Sequence, residues 1–232
     1  MDHICGAAIL GLSISILAGC GTAEYERRLE KSGDLLRYGS KFHAKLHPSP
    51  QVVNDTGVSI RFPLLIDGSA RAGTDQPPFV QLPGLQFSYV KDVNLGDVRS
   101  GTSPVHLYIG VVNADAMQDT EIMNKISVTL SNQFQNVPAI WDQVELDTPD
   151  RSSISCKHIS VTGEQTFDKA MPYQDAKPVD AAGRFDVYLY STDTKHVITA
   201  WRCPDDIQAN TQWFQLAGVS TGTITIETGE GG

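Results

Sequence analysis

The sequence predicts an α+β fold, in which helices pack on the faces of an antiparallel β-sheet after an N-terminal helical segment. Several segments alternate apolar and polar residues with a period of two, which is typical of half-buried strands. One segment in the middle of the chain has a strong helical period, and a second helix follows the last hairpin. Strands and helices therefore occur in runs, which favours an α+β arrangement over a doubly wound parallel sheet.

The composition narrows the class of protein. The chain has 232 residues, of which 41% are hydrophobic, so it can build a core and is not disordered throughout. Its net charge of −9 argues against a nucleic-acid partner, since nucleic-acid-binding domains are usually basic. No later segment is apolar over about 18 residues, which excludes a polytopic membrane protein.

The first predicted elements are a charged helix and three strands. The helix covers residues 22–38, and its Tyr25, Leu29 and Leu36 form one narrow apolar stripe. It serves either as a stalk that lifts the domain from a membrane or as a tether packed on the domain. The strands are expected at 58–62, 85–90 and 105–112, with loops rich in Gly, Pro or polar residues at 67–84 and 92–104.

The second half of the chain predicts one long helix and then more sheet. The helix begins at Asp119 or Thr120 and carries an apolar ladder of Ile122, Ile126, Leu130 and Phe134. Strands follow at 139–146 and 154–167, the latter bulged near Gly163, and a loop covers 168–183. The hairpin at 184–203 is the strongest β signal, before a helix from Pro204 and a last strand at 223–227.

The N-terminus predicts export. Residues 4–19 are uncharged and mostly apolar, and they lead to Leu17-Ala18-Gly19-Cys20. This stretch resembles the lipobox of bacterial lipoproteins, although Met1-Asp2-His3 lacks the positive charge that usually opens such a signal. The resemblance implies cleavage between Gly19 and Cys20, acylation of Cys20 with palmitate-type chains, and anchoring to a membrane of the bacterial envelope.

These observations divide the chain into four parts. We expect a lipoprotein signal peptide over residues 1–19 and a lipid-anchored tether with the charged helix over 20–55. A single α+β domain then covers 56–228, and a flexible tail covers 229–232.

The domain also resembles a known fold. In residues 119–227 a helix leads into an antiparallel meander, then a helix and a final strand, with Ala200-Trp201-Arg202-Cys203-Pro204 at the end of the meander. This pattern resembles the PsbP-like α/β/α sandwich, a family with photosystem II subunits of the thylakoid lumen and bacterial envelope lipoproteins. The resemblance implies a binding or stabilising role, and it transfers no catalytic or metal-binding residue to this chain.

Two cysteines lie in the predicted domain. Cys156 and Cys203 can form a disulfide in an oxidising compartment, or they can be two buried thiols. In a simple meander they stand about 20 Å apart at ~3.3 Å per residue. A disulfide needs Cα atoms within about 7 Å, so this strand order argues against the bond.

The motifs for catalysis and metal binding are missing or incomplete. The chain has no G-x-S-x-G, no H-E-x-x-H and no phosphate-binding glycine loop, so we predict no catalytic residue and no cofactor. His43 and His47 have the spacing of metal ligands on a helix, but no acid or cysteine stands beside them. The stretch from Asp92 to Asp97 departs from a calcium loop in the order of its glycine and acids. We therefore predict no metal site.

The candidate partner surface is on the last hairpin. Tyr188 and Tyr190 share one strand face, and Trp201 lies on the next strand. In a sandwich a helix covers this face, whereas an uncovered face would be a docking surface. A groove between the 67–84 and 92–104 loops is a further candidate contact surface.

The sequence thus favours a membrane-anchored envelope lipoprotein with a non-catalytic binding or assembly role. Its expected partners are the membrane, through Cys20, and an envelope protein or cell-wall component. An envelope enzyme acting on a small or cell-wall substrate and a purely structural lipoprotein are the alternatives. A pocket with convergent polar groups favours the enzyme, an exposed apolar patch the binder, and an evenly charged surface the structural protein.

Overall fold

The computed structural model describes residues 10–94, 101–134, 140–171 and 174–227. The chain forms two compact units, Met1–Ala44 and Lys45–Gly232. The first contains a single helix, α1 (Leu10–His43), which continues through position 22, so no separate helix begins there. Tyr25, Leu29 and Leu36 of the predicted stripe are exposed. Within the described ranges, no helix combines the length and apolarity that crossing a membrane requires.

The second unit contains two antiparallel sheets. The strands in chain order are β1 (Gln51–Val52), β2 (Val58–Ile60), β3 (Arg71–Gly73), β4 (Leu85–Asn94), β5 (Thr102–Asn113), β6 (Asp142–Asp147), β7 (Ser153–Lys169), β8 (Lys177–Ser191), β9 (Lys195–Pro204) and β10 (Thr225–Ile226). The helices are α2 (Asp119–Gln133), α3 (Asp205–Thr211) and α4 (Trp213–Thr221). The large sheet has the order β3-β4-β5-β9-β8-β7-β6, and the small sheet has the order β1-β2-β10.

Each face of the large sheet is covered by a different layer. On one face, here called the α2 face, Ile122, Ile126 and Leu130 of α2 pack with the apolar side chains of β7, β8 and β9. The opposite face, the α3–α4 face, packs against those two helices and the small sheet. Side chains alternate between the faces along every strand, so one hairpin supplies both cores.

These elements confirm the predicted α+β class. A helix, an antiparallel meander, further helices and a final strand follow one another in the order of the PsbP-like sandwich. The hairpin predicted at 184–203 is β8 and β9, and the predicted long helix is α2. Clear periodicity in the sequence therefore located the central elements.

The predicted loop over 168–183 is wrong, because most of it is strand. β7 and β8 form one long ribbon, in which Lys169 pairs with Lys177. The predicted bulge is also absent from this ribbon, since Gly163 pairs directly with Gly183. Rings fill the space above both glycines: a Cβ on Gly163 would lie 2.8 Å from Phe134 Cδ1, and one on Gly183 would lie 2.7 Å from Phe167 Cζ.

Smaller differences concern the ends of elements. The predicted loops contain β3, the end of β4 and the start of β5, while residues 95–100 lie outside the described ranges. The helix predicted from Pro204 is two helices, because Gln212 between them has left-handed backbone angles of φ 50° and ψ 35°. This break lets α4 place Trp213, Leu216 and Ala217 in the core. The predicted tail at 229–232 also lies outside the described residues.

Candidate functional site

The predicted partner surface is wrong, because the helices cover it. Trp201 is fully buried, its ring centroid lies 5.1 Å from that of Trp213, and its Nε1 donates to Thr199 Oγ1 at 3.1 Å. Tyr188 is 7% exposed and stacks on His158, while Tyr190 is half-buried. These side chains belong to the α3–α4 core and offer no docking face.

The possible disulfide between Cys156 and Cys203 is not formed. Both cysteines are free and buried. The two cysteines lie on opposite sides of β8: Lys157, next to Cys156, pairs with Leu189 near one end of β8. Cys203 pairs with Arg184, five residues away on the same strand. Burial is the main cause that raises the pKa of each thiol to about 12. The two thiols are therefore unreactive at neutral pH.

The structure places the remaining candidates apart from one another. Gly19 and Cys20 fall within the span of α1, and lipidation stays a prediction. His43 ends α1, and His47 Nε2 donates to the Ile66 carbonyl at 2.9 Å. Asp92 forms an ion pair with Arg71 at 2.6 Å, while the rest of the calcium-like motif from position 95 lies outside the described residues. Among the residues that are described, no three His, Cys, Asp or Glu side chains group as a metal site would require.

A cleft of about 400 Å³ is the best-formed candidate site. It opens where the small sheet, the end of α4 and the turn between β6 and β7 meet. We call it the Arg61 cleft. Its lining is Pro50, Arg61, Thr148, Pro149, Asp150, Ser152, Ile154, Gly222, Thr223, Ile224 and Thr225.

Arg61 is the buried cation of this cleft. The residue comes directly after β2 and is only 7% exposed. Its Nε donates to the His47 carbonyl at 2.7 Å. Its backbone is fixed as well: the Arg61 N–H donates to Thr223 Oγ1 at 2.8 Å, and Ser220 Oγ donates to the Arg61 carbonyl at 2.7 Å. Burial lowers the pKa of Arg61, but a guanidinium stays charged at neutral pH. The cleft therefore has a positive charge in a fixed position.

The turn between β6 and β7 supplies the opposite charge at the rim. Asp150 Oδ1 accepts hydrogen bonds from the backbone and hydroxyl of Ser152, at 3.2 and 2.8 Å, and from the Thr148 hydroxyl. The side-chain bonds from Thr148 and Ser152 are the main causes that lower the pKa of Asp150 to about 2. Asp150 is therefore ionised across the physiological pH range.

A glycine brings the helix end and the turn together. A Cβ on Gly222 would lie 2.3 Å from the Asp147 carbonyl oxygen, so a larger residue cannot fit between α4 and the turn. Thr223 follows directly and donates to the Ser220 carbonyl at 2.7 Å, which orders the exit from the helix. This close approach forms one wall of the cleft.

The chemistry of the lining suits binding. Proline and isoleucine side chains provide apolar walls, while Arg61, Asp150 and several hydroxyls provide a few fixed polar contacts, which is typical of ligand sites. The described lining contains no histidine, cysteine or lysine, the side chains that most often serve as general base or activated nucleophile. Its geometry suits the recognition of a ligand.

Two other clefts occur in the described part of the domain. One of about 550 Å³ runs along residues 81–85 and reaches Met117 and Lys125, so the predicted 67–84 loop does line a groove, with α2 as its other wall. Another, of about 670 Å³, lies between Arg184 and the break at Gln212. Both are lined by mixed polar and apolar side chains, and neither combines a buried charge with apolar walls as the Arg61 cleft does.

Arg61 could not be singled out from the sequence. In the predicted strand at 58–62 it alternates with apolar Ile60 and Phe62, a pattern that predicts a solvent-facing side chain. Its burial comes from His47, Ser220 and Thr223, which are distant in sequence and meet β2 only in the folded domain.

Comparison with known proteins finds similarity in fold. No protein-family model and no curated protein matches the chain. A cyanobacterial PsbP from Synechocystis is similar at 9% identity and a TM-score of 0.40, over 79% of this chain and 94% of that one. A protein from Bacteroides thetaiotaomicron has 11% identity and a TM-score of 0.40, over 81% of this chain and 50% of that one. LpqN of Mycobacterium tuberculosis, described as involved in cell envelope biogenesis, has 10% identity and a TM-score of 0.36, over 79% and 92%. These likenesses concern the arrangement of helices and strands only.

Proposed function

We propose that this chain is a lipid-anchored protein of the bacterial envelope with a non-catalytic binding role, and that it binds its partner in the Arg61 cleft. The anchor is Cys20, after cleavage behind Gly19. The partner is an envelope protein or a cell-wall component that presents an apolar group together with a polar or charged group.

The Arg61 cleft is the observation that carries the binding role. Apolar walls from Pro50, Pro149, Ile154 and Ile224 give a partner buried contact area, which supplies most of the affinity. Arg61 and Asp150 are both held by hydrogen bonds, so the partner meets charges whose positions are already fixed. Such preorganisation reduces the entropy that binding costs.

The lining also bears on the enzyme alternative. The hydroxyls of Thr148 and Ser152 hydrogen-bond to each other and to the Asp150 carboxylate. A hydroxyl needs an adjacent base to become a nucleophile, and the lowered pKa of Asp150, about 2, makes this carboxylate a weak base. This arrangement supports binding over covalent chemistry.

The proposal is tested by site-specific photo-cross-linking in the cell. A photoreactive amino acid is placed at Pro149 or at Thr225, two exposed positions on the cleft, and at exposed Val128 on α2 as a matched control. The proposal predicts one adduct shared by the two cleft positions, absent at Val128, and lost when Cys20→Ala removes the anchor. Mass spectrometry of the intact adduct separates a protein partner from a cell-wall fragment.

Two results would contradict the proposal. Equal labelling at Val128 and at the cleft positions would show that capture does not depend on the cleft. An anchored, folded protein that gives no adduct at either cleft position would remove the binding role.

A further inference from the structure

The α2 face buries a second arginine, Arg202, at the end of β9. The residue is 2% exposed. Its guanidinium lies 4.1 Å from the ring centroid of Phe167 and 5.4 Å from that of Phe79. Both aromatic faces favour a cation, but they give only part of the stabilisation that a guanidinium loses when it leaves water.

Every hydrogen-bond partner of Arg202 in the described structure is neutral. Its Nε donates to Gln165 Oε1 at 2.8 Å, and its Nη2 donates to the Thr166 carbonyl. Within the described residues, no carboxylate lies within ion-pair distance of its guanidinium. The charge of Asp168 acts on Arg202 from beyond ion-pair distance, so the buried positive charge is only partly compensated.

Two further N–H groups of this cluster have no partner. Gln165 is 4% exposed, and its Nε2 is buried without a hydrogen bond because Oε1 already faces Arg202. His106 pairs with Arg202 across the two strands, and its Nε2 is also buried without a hydrogen bond. The Tyr108 hydroxyl lies 3.3 Å from His106 Nδ1, and a neutral imidazole that accepts there carries its hydrogen on Nε2.

Both side-chain nitrogens belong to the surroundings of one guanidinium, because Gln165 accepts from Arg202 and His106 pairs with Arg202 across the strands. Buried donors are almost always satisfied in folded proteins, and each unsatisfied donor destabilises the fold. One acceptor that carries negative charge would satisfy both N–H groups and neutralise Arg202 at the same time. A neutral water molecule would satisfy the N–H groups but leave the charge uncompensated.

We propose that Arg202, Gln165 and His106 together bind one small monovalent anion, such as chloride or formate, inside the α2 face. The occupant has to be small, because the rings of Phe79 and Phe167 enclose the guanidinium. This site is separate from the Arg61 cleft, and it is proposed independently of the binding role of that cleft.

The first test is urea unfolding of the full chain at fixed ionic strength, with chloride or formate exchanged for gluconate, which is too large for the site. A bound anion stabilises the folded state by mass action, so the midpoint rises with chloride or formate concentration and not with gluconate. Arg202→Met abolishes this dependence, whereas Arg28→Met, which removes an exposed arginine of α1, retains it.

A second variant covers the case in which Arg202→Met does not fold. Gln165→Leu keeps the charge and removes one donor, and we expect it to weaken the apparent anion affinity at least tenfold. The proposal is overturned if the chloride dependence is the same in wild type, Arg202→Met and Gln165→Leu, or if wild type shows no dependence.

The second test locates the occupant. Crystals grown in bromide should show an anomalous scattering peak within hydrogen-bonding distance of His106 Nε2 and Gln165 Nε2. An ordered water without anomalous signal at that position would overturn the proposal, and so would a position that is occupied by protein atoms alone.

Discussion

Each face of the large sheet holds an arginine beside an aromatic ring, part-buried Arg184 on one face and buried Arg202 on the other, and the two differ in what accompanies the charge. On the α3–α4 face, Arg184 lies 4.5 Å from the ring centroid of Phe214 and donates through Nε and Nη2 to both oxygens of Asp186, at 2.7 and 2.6 Å. On the α2 face, Arg202 lies against Phe167 and donates to neutral oxygens only, within the described residues.

The electrostatic surroundings follow from this difference. Burial alone would raise the pKa of Asp186, but hydrogen bonds from His158, Arg184 and Ser160 lower it below its ordinary value. Burial lowers the pKa of Arg202, and no carboxylate opposes that effect strongly enough to reverse it. The first cluster holds its own counter-charge in Asp186, whereas the second has no carboxylate within ion-pair distance among the described residues. A buried arginine is therefore better evidence for a bound anion when no carboxylate of the protein forms an ion pair with it.

The largest expected effect is the loss of the carboxylate from the paired cluster. Asp186→Asn leaves Arg184 part-buried without its counter-charge, so we expect the free energy of unfolding to fall by about 3–5 kcal/mol. Urea unfolding measures the change. Asp180→Asn is the matched control, because Asp180 is exposed and bonds only to the Thr166 hydroxyl in the described structure, and it should change the stability by less than about 1 kcal/mol. Equal effects of the two substitutions would show that the buried pair has no special role.

A smaller effect is expected when the unpaired arginine is removed. Arg202→Met replaces a buried charge with an apolar chain that packs between Phe79 and Phe167, and this gain offsets part of the lost hydrogen bonds. In gluconate buffer we expect a loss of about 1–2 kcal/mol, roughly one hydrogen-bonded group left unsatisfied. A loss as large as that of Asp186→Asn would contradict the distinction between the two clusters.

The pH dependence of stability sharpens the same comparison. Burial, then Arg202 and Arg71, lower the pKa of His106 to about 3. In the unfolded chain this imidazole binds a proton below its usual pKa of about 6.5, while the folded protein keeps it neutral, so stability falls as the pH drops from about 6.5 toward 3. Each pH unit in this window contributes up to ~1.4 kcal/mol.

His106→Asn removes this contribution and should flatten the acid side of the stability curve. Unfolding midpoints at pH 7, 6, 5 and 4 measure the slope for both proteins. A variant that loses stability with falling pH as steeply as wild type would show that His106 is not held neutral.

The smallest expected effect concerns the thiols of the α3–α4 face. Because burial raises the pKa of Cys156 and Cys203 to about 12, a thiol reagent at pH 8 should modify them roughly 1,000-fold more slowly in the folded chain than in urea. The measurement uses the full chain with Cys5→Ser and Cys20→Ser, so that only these two thiols report. Rapid modification without urea would show that this face opens.

The sequence located the elements whose pattern depends on near neighbours. The i, i+4 ladder of α2 identified a helix whose Ile122, Ile126 and Leu130 are all buried, and alternation identified β8 and β9. The outer half of the β7–β8 ribbon was missed because Thr166, Asp168 and Asp180 make it polar on its exposed side. Residue propensities do not predict strands in such a polar ribbon, because pairing across the two strands is what stabilises it.

The polar clusters could not be predicted for a related reason. In the sequence, each of three arginines is the polar residue of an alternating strand: Arg61, Arg184 and Arg202. The hydrogen-bond partners that distinguish them lie elsewhere in the fold, mostly on other strands or in turns. Only the folded topology places Gln165 of β7 beside Arg202 of β9 while Asp186 faces the opposite core.

The protonation state of His106 tests the central claim most directly, because that claim is an uncompensated positive charge at Arg202. Nitrogen-15 NMR of histidine-labelled full chain, in gluconate buffer at pH 5, reports the charge and tautomer of each imidazole. The account predicts a neutral His106 with its hydrogen on Nε2. Burial and then the Arg202 charge keep His106 neutral, so a charged His106 at pH 5 would show that this region is neither dry nor positive as described, and would contradict the account.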